Sequence, residues 1–214
     1  MSEPDDPVRR RALVGGLSLA SFAVLRPLHA ATPQQTEGPF FPVDTTTESD
    51  FDLTQLKGHA QRATGRVVEI HGTVRGANGE PLPNAQVYVW QANHHGRYAH
   101  PDDRNPAPLD PHFQGYARLQ TDAAGSYRLR TIVPGAYRVG RGWSRPPHVH
   151  FKVSHPEHQE LTTQMYFADD PLNADDRILN ALDTAERAQL LVTFAASADS
   201  ELPTGRFDLA LARA

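Results

Sequence analysis

A two-residue alternation of apolar and polar side chains is the feature that most constrains how this chain can fold. On an extended strand, side chains two positions apart share a face, so this alternation predicts half-buried β-strands. The alternation recurs in short runs separated by turns that contain glycine and proline. The clearest runs are 67–74, 85–90, 117–121, 127–132 and 148–153.

Short strands at this spacing predict an all-β domain whose core is an antiparallel β-sandwich of the prealbumin-like type. Residues 190–194 and 207–211 are expected to close the sheets. Residues 175–186 have a modest helical pattern, and residues 32–65 show no clear period. We therefore expect one helix near the C-terminus and an irregular N-terminal arm that wraps the core.

The composition limits the chemistry that the domain can perform. The chain of 214 residues contains no cysteine, which excludes disulfides, thiolate metal sites, iron–sulfur clusters and a cysteine nucleophile. With 21 Lys+Arg against 25 Asp+Glu the formal net charge is −4, whereas a nucleic-acid-binding protein normally carries a basic excess. Reactive groups must therefore come from histidine, tyrosine, arginine or the carboxylates, or from a metal that they hold.

The N-terminus has the layout of an export signal. Three arginines at 9–11 precede an uncharged, mostly apolar stretch at 12–25, and two alanines follow at 30–31. The apolar stretch is shorter than the roughly 18–20 residues that a membrane span needs, so no permanent anchor is expected. The paired arginines are similar to the twin-arginine signal. We predict an export signal over 1–31, the mature domain over 32–214, and a periplasmic or extracellular location.

His148 and His150 form the sharpest local signal for a metal site. They flank Val149 on a predicted strand, so both imidazoles point to one face with Cβ atoms about 6.5–7 Å apart. Two imidazoles at this spacing can converge on one ion through bonds of about 2.1 Å. The same pair also fits a simple polar strand face, and these two residues alone leave both interpretations open.

Two tyrosines in ordered motifs extend this signal. Tyr98 follows the 85–90 run through a polar loop, and Tyr137 lies eleven residues before His148. Around these residues the chain resembles the intradiol ring-cleavage dioxygenases, the family of protocatechuate 3,4-dioxygenase and the catechol dioxygenases. The segments that carry the resemblance are TEGPFFP at 36–42, LPNA at 82–85, WQAN at 90–93, GRY at 96–98, FQGY at 113–116, PGAY at 134–137, RPPHVHF at 145–151 and LTTQMYF at 161–167.

The resemblance implies one non-haem Fe(III) per chain, held by two tyrosines and two histidines. In the family, the second tyrosine leaves the iron when substrate binds, an arginine stabilises negative charge at the substrate, and a glutamine orients that arginine. Phenolate oxygen is a hard, charged ligand that favours Fe(III). In this sequence the implied metal ligands are Tyr98, Tyr137, His148 and His150, and the implied catalytic residues are Tyr137, Arg145 and Gln164.

The implied reaction opens a catechol-type ring between its two hydroxyl-bearing carbons with O2, which gives a cis,cis-muconate-type diacid. The partners are then a small aromatic diol and O2, without nucleic acid, and a homo-oligomer is compatible with the sequence. His94, His95 and Arg138 depart from residues that are common in the family. The identity of the aromatic substrate therefore stays open.

Two other interpretations also stay open at this point. Gly142 followed by 148–150 is similar to half of a cupin signature, although the acidic residue expected next comes late, at Glu157. That pattern would make the protein a cupin-type metalloenzyme. The strands over 67–90 equally fit a non-catalytic, prealbumin-like β-sandwich that serves binding. The metal content and the colour of the purified protein separate these interpretations from the first.

Overall fold

The computed structural model describes residues 30–43, 49–140, 142–198 and 200–214. The predicted export signal over 1–31 therefore lies outside the described residues, except for its last two positions. None of the helices in the described part of the chain has the length and hydropathy that crossing a bilayer requires.

The first sheet is built around a ten-residue strand, β1 (Val67–Gly76). On one edge β1 pairs antiparallel with β4 (Ser126–Ile132). On the other edge it pairs in parallel first with β11 (Ser200–Arg206) and then with β12 (Leu209–Leu211). A short strand, β10 (Ala195–Ser197), completes this edge by pairing antiparallel with β11.

The second sheet contains five strands: β2 (Gln86–Trp90), β3 (Tyr116–Gln120), β7 (His148–Ser154), β8 (Leu161–Phe167) and β9 (Leu191–Val192). Their order is β3-β2-β7-β8-β9, which places the predicted histidine strand, β7, at the centre. All neighbours in this sheet are antiparallel except β8 and β9. A separate two-stranded ladder joins β5 (Tyr137–Arg138) to β6 (Ser144–Arg145).

The two sheets pack face to face over an apolar core. Ile70 from β1 and Leu129 from β4 meet Val89, Val149 and Phe151 from the second sheet in one cluster, and all five are fully buried. Two-residue alternation places these side chains on the inner faces. The predicted all-β sandwich is confirmed, and the structure adds three parallel strand pairs to its antiparallel framework.

The helical region differs from the prediction over 175–186. Two 3-10 turns, Pro171–Asp175 and Leu179–Ala181, precede a single α-helix, α1 (Thr184–Leu190). The helix begins late because Asp183 caps it: its side chain accepts from the Glu186 amide, and the Glu186 side chain accepts from the Asp183 amide. Because the helix extends to Leu190, the strand predicted over 190–194 is shorter in the structure, where β9 spans only Leu191–Val192. Strand β11 was not predicted, since its proline and glycine interrupt the alternation.

The first part of the predicted arm, over 32–43, lies on the outer face of the second sheet. The Gln35 amide donates to the Thr162 carbonyl oxygen at 2.8 Å, and Thr163 Oγ1 donates to the Pro33 carbonyl oxygen at 2.8 Å. Glu37 forms an ion pair with Lys152 on β7. The arm therefore gives this sheet a second buried face, beside the one that it presents to the core.

Candidate metal centre

The two histidines of β7 lie on the covered outer face of the second sheet. His150 stands opposite Gln164 on β8 and opposite Trp90 on β2, and His148 stands opposite Tyr166. His148 is 2% exposed and His150 is 3% exposed. The alternation of β7 thus sends its valines and phenylalanine into the core and its histidines into a separate, enclosed site.

Local contacts orient both imidazoles. His148 Nδ1 donates to the Pro146 carbonyl oxygen at 2.6 Å, which leaves the lone pair on Nε2 for the site. His150 stacks on Trp90 with ring centroids 4.8 Å apart and an interplanar angle of 11°. Burial and the nearby Arg145 charge lower the pKa of His150 to about 3, and burial, followed by Arg145, lowers the pKa of His148 well below its usual range. Both rings are therefore neutral at pH 7, as metal binding requires.

Tyr98 reaches this site from a loop that follows β2. Asn93 organises the loop, because its side-chain oxygen accepts from the backbone amides of His95 and Arg97. The Asp103 carboxylate accepts from the Tyr98 amide at 2.7 Å and so fixes the backbone that carries the phenol. The Tyr98 side chain is 3% exposed.

Tyr137 reaches the site from the turn that enters β5, and two glycines let the two tyrosine segments touch. A Cβ at Gly96 would lie 2.4 Å from the Ala136 carbonyl oxygen, and a Cβ at Gly135 would lie 2.4 Å from the His94 carbonyl oxygen. Gly96 also has a φ of +78°, which favours glycine. The rings of Tyr98 and Tyr137 consequently meet edge to face, with centroids 5.7 Å apart.

The four side chains converge through their polar atoms. Tyr98 Oη lies 3.1 Å from His150 Nε2 and 3.4 Å from His148 Nε2, and Tyr137 Oη lies 3.4 Å from His148 Nε2. Two ligands bound to one ion at about 2.1 Å lie roughly 3.0–3.4 Å apart for bond angles of about 90–110°. The observed spacings therefore fit a common ion within the cluster.

The chemistry of the donor set favours a strong, hard cation. Burial raises the pKa of Tyr98 well above its usual range, with the neighbouring Tyr137 as the next cause, and burial also raises the pKa of Tyr137. Both phenols thus stay protonated at neutral pH unless a cation compensates for the burial. In the described part of the chain no three histidine or carboxylate side chains gather as a metal-binding group. The donors that this cluster brings together are two imidazoles and two phenols.

Arg145 lies beside the cluster in a buried polar network. Its Nε donates to Asp176 Oδ2 at 2.6 Å, and its Nη2 donates to Gln164 Oε1 at 2.7 Å and to Tyr166 Oη at 3.2 Å. Gln164 in turn donates to the Thr36 carbonyl oxygen of the arm. The predicted contact between Arg145 and Gln164 is present, and the arm helps to hold both.

Asp176 and Tyr166 belong to this network, and the sequence reasoning missed them as site residues. Asp176 is fully buried, and its Oδ1 accepts from the amides of Ile178 and Leu179 while its Oδ2 binds Arg145. Nothing in the local pattern around Asp176 distinguishes it from a surface aspartate. Tyr166 could have been found, since its position two residues after Gln164 on a strand places both side chains on one face.

A cavity of about 790 Å³ opens onto the cluster. Tyr137, His150 and Arg145 line it, whereas Tyr98 does not. Of the two histidines left without a role by the sequence, His95 lines the cavity and His94 packs against Gly65. A small molecule in the cavity would thus meet Tyr137 before Tyr98.

Comparison with known proteins places the chain among dioxygenases. The family profile described as "Dioxygenase" matches residues 36–213. The chain is 40% identical over 167 residues to the protocatechuate 3,4-dioxygenase β chain of Burkholderia cepacia, covering 76% of this chain and 71% of the relative. It is 37% identical over 159 residues to catechol 1,2-dioxygenase of Acinetobacter baylyi, covering 68% of this chain.

Solved structures show the same relationship. The dioxygenase domain of a dioxygenase–carbohydrate-binding protein fusion from Streptomyces sp. SirexAA-E superposes with a TM-score of 0.64 at 30% identity, covering 86% of this chain and 100% of that domain. The chain spans 49% of the length of the Acinetobacter baylyi catechol 1,2-dioxygenase. These matches leave the cupin and the non-catalytic interpretations without support.

Proposed function

This chain belongs to the intradiol dioxygenase family, and on that premise we propose that it is an exported, Fe(III)-dependent enzyme that opens catechol-type rings. The proposed reaction breaks the bond between the two hydroxyl-bearing carbons and inserts both atoms of O2, giving a cis,cis-muconate-type diacid. Because both oxygen atoms enter the product, the reaction needs no external reductant.

The observation that carries the proposal is the cluster of four donors beside the open cavity. In this proposal Tyr98, Tyr137, His148 and His150 hold one iron, and their spacings of 3.1–3.4 Å suit a common ion. When bound, Fe(III) would supply the positive charge that keeps the phenols and the diol ionised and would couple the diol to O2.

Tyr137 is the proposed proton acceptor for the incoming diol. Its side chain is partly exposed to the cavity, whereas Tyr98 is buried behind it. As a phenolate, Tyr137 Oη takes one hydroxyl proton from the diol, and the diol then binds as an anion without a separate general base. Tyr98 keeps its buried position throughout.

Arg145 is the proposed stabiliser of negative charge on the ring. Its Nε and Nη2 are occupied by Asp176, Gln164 and Tyr166, which hold the guanidinium plane. Its Nη1 makes no hydrogen bond with a described residue, and the side chain lines the cavity. A guanidinium fixed in this way can stabilise charge that develops during the reaction without reorganising.

Purified protein is expected to contain about one iron per chain and to be reddish, because charge transfer from tyrosinate to Fe(III) absorbs visible light. Iron content, the visible spectrum and O2 uptake with catechol measure this on one sample. Removal of the iron should bleach the colour and abolish O2 uptake together, and Fe(III) should restore both. A colourless, fully loaded zinc protein would refute the proposed function.

Export is the second part of the proposal, and it is supported by the arginines and the apolar stretch of the N-terminus. Changing Arg9 and Arg10 to lysine is expected to trap an unprocessed precursor in the cytoplasm, because the twin-arginine route requires the pair. Arg11→Lys is the matched control and should leave export intact. Fractionation and N-terminal sequencing should place the wild-type mature start near Thr32. An unprocessed, cytoplasmic and active wild-type protein would contradict export.

A further inference from the structure

The cavity beside the cluster is larger than a single-ring diol requires. Cavities of about 300–1,000 Å³ typically enclose drug-sized ligands, and this cavity measures about 790 Å³. Its lining includes the apolar side chains of Phe40, Val139, Trp143 and Ile178, and Val139 is 41% exposed. A single-ring diol seated against Tyr137 and Arg145 would fill only part of this volume. The cavity therefore has space and apolar surface for a substituent on the ring.

Two guanidinium groups at the mouth of the cavity have free hydrogen-bond donors. Arg104 and Arg138 both line the cavity and are exposed. Neither guanidinium makes a hydrogen bond or an ion pair with any residue that the structure describes. Arg145 differs from them, since Asp176 pairs with it. A guanidinium can bind a ligand anion only through N–H donors that no protein acceptor already occupies.

The carboxylates near the mouth do not occupy these arginines. Asp103 is buried, and its two oxygens accept from the backbone amides of Tyr98 and Asn105. Asp102 has a side chain that is 75% exposed and lies 4.0 Å from His100 Nδ1. Among the described residues neither carboxylate forms an ion pair with Arg104 or Arg138, so both guanidiniums keep their donors free.

We propose that the preferred substrate is a catechol whose ring carries an extended tail ending in a carboxylate, bound by Arg104 and Arg138. This inference rests on the proposed function. The diol lies against Tyr137, the apolar part of the tail covers the wall near Val139, and the carboxylate accepts hydrogen bonds from the two guanidiniums. The planar fork of arginine matches a carboxylate geometrically, which makes these two residues determinants of specificity.

The test compares 3-(3,4-dihydroxyphenyl)propanoate with its primary amide, two catechols that share length and shape and differ in charge. We expect kcat/KM for the acid to exceed that for the amide by about tenfold, the factor that one charge-assisted hydrogen bond supplies. The difference should lie mainly in KM, because the contact is remote from the reacting carbons. Added salt should reduce the preference for the acid over the amide, since the two arginines are exposed to solvent and their charges are screened.

Variants assign the preference to the two arginines. Arg104→Gln and Arg138→Gln should each reduce the acid-to-amide ratio, and the double variant should bring it to about one. Arg128→Gln is the matched control: it removes an exposed guanidinium on β4 that stacks over Phe51, outside the cavity, and should keep both kinetic values.

Two results would overturn the proposal. Equal kcat/KM for acid and amide in the wild-type protein would show that the mouth does not recognise the anion. A preference that survives in the double variant would show that other groups recognise it. Failure of the proposed function would give a different result from failure of this inference alone. If the proposed function is wrong, the iron-loaded protein will not cleave unsubstituted catechol either, and this inference is then wrong as well.

Discussion

His148→Ala and His150→Ala are each expected to abolish stable iron binding and to lower O2 uptake with catechol by at least about a hundredfold, since even loss of a group that only orients a metal ligand costs about 10–100-fold. Each change removes one of two neutral imidazoles whose Nε2 atoms face the tyrosine oxygens. The remaining donors would leave the ion incompletely enclosed. Iron per chain, visible absorbance and O2 uptake on the same sample measure the effect.

The control for these variants is His71→Ala. His71 lies on β1, its side chain is exposed, and it is remote from the candidate centre. This variant should keep iron, colour and activity. Circular dichroism shows whether His148→Ala and His150→Ala remain folded. A folded variant of either kind that retained the wild-type iron content and spectrum would exclude that histidine as a ligand.

Asp176→Asn is expected to lower the free energy of unfolding by about 3–5 kcal/mol, the usual cost of leaving one member of a buried ion pair without its partner. The Arg145 and Asp176 side chains are 4% and 0% exposed, so solvent does not screen the charge that remains. Asparagine keeps an oxygen for the amides of Ile178 and Leu179, so the change removes the charge and the acceptor for Arg145 Nε while the backbone contacts remain. Denaturant unfolding of iron-free protein measures the change without the contribution of metal binding.

A surface pair with similar geometry provides the control. Arg206 Nε lies 2.7 Å from Asp208 Oδ2, but these side chains are 62% and 43% exposed. Arg206→Gln should therefore cost less than about 1 kcal/mol, as exposed ion pairs do. If Asp176→Asn cost no more than Arg206→Gln, the buried pair would not contribute to stability in the way proposed here.

Asp176→Asn should also lower activity beyond its effect on folding. Arg145 would keep Gln164 and Tyr166 as partners but lose the contact at Nε. A guanidinium that can rotate stabilises developing charge less well, so kcat should fall more than KM rises. Steady-state kinetics at a temperature where the variant is fully folded separates this effect from instability.

Most strands and the two histidines of the candidate centre could be predicted from local sequence pattern, whereas its tyrosines, Arg145 and Gln164 were implied only by the resemblance to a family. Alternation determines which residues of β7 share a face, so Val149 and Phe151 were expected in the core and His148 and His150 on the opposite face. Strand β11 was missed because Pro203 and Gly205 interrupt its pattern. The helix was misplaced because the cap at Asp183, rather than apolar periodicity, determines where it begins.

The sequence by itself determined that the domain is all-β, that cysteine chemistry is absent, and that two histidines share one face of a strand. Only the tertiary structure decided that Tyr98 and Tyr137 meet those histidines, because the meeting depends on the close approach at Gly96 and Gly135, a contact between separate loops. Periodicity reports the direction of a side chain relative to its own strand, and it contains no information about which distant loop packs above it. The buried pairing of Arg145 with Asp176, 31 positions apart in the chain, depends on long-range packing for the same reason.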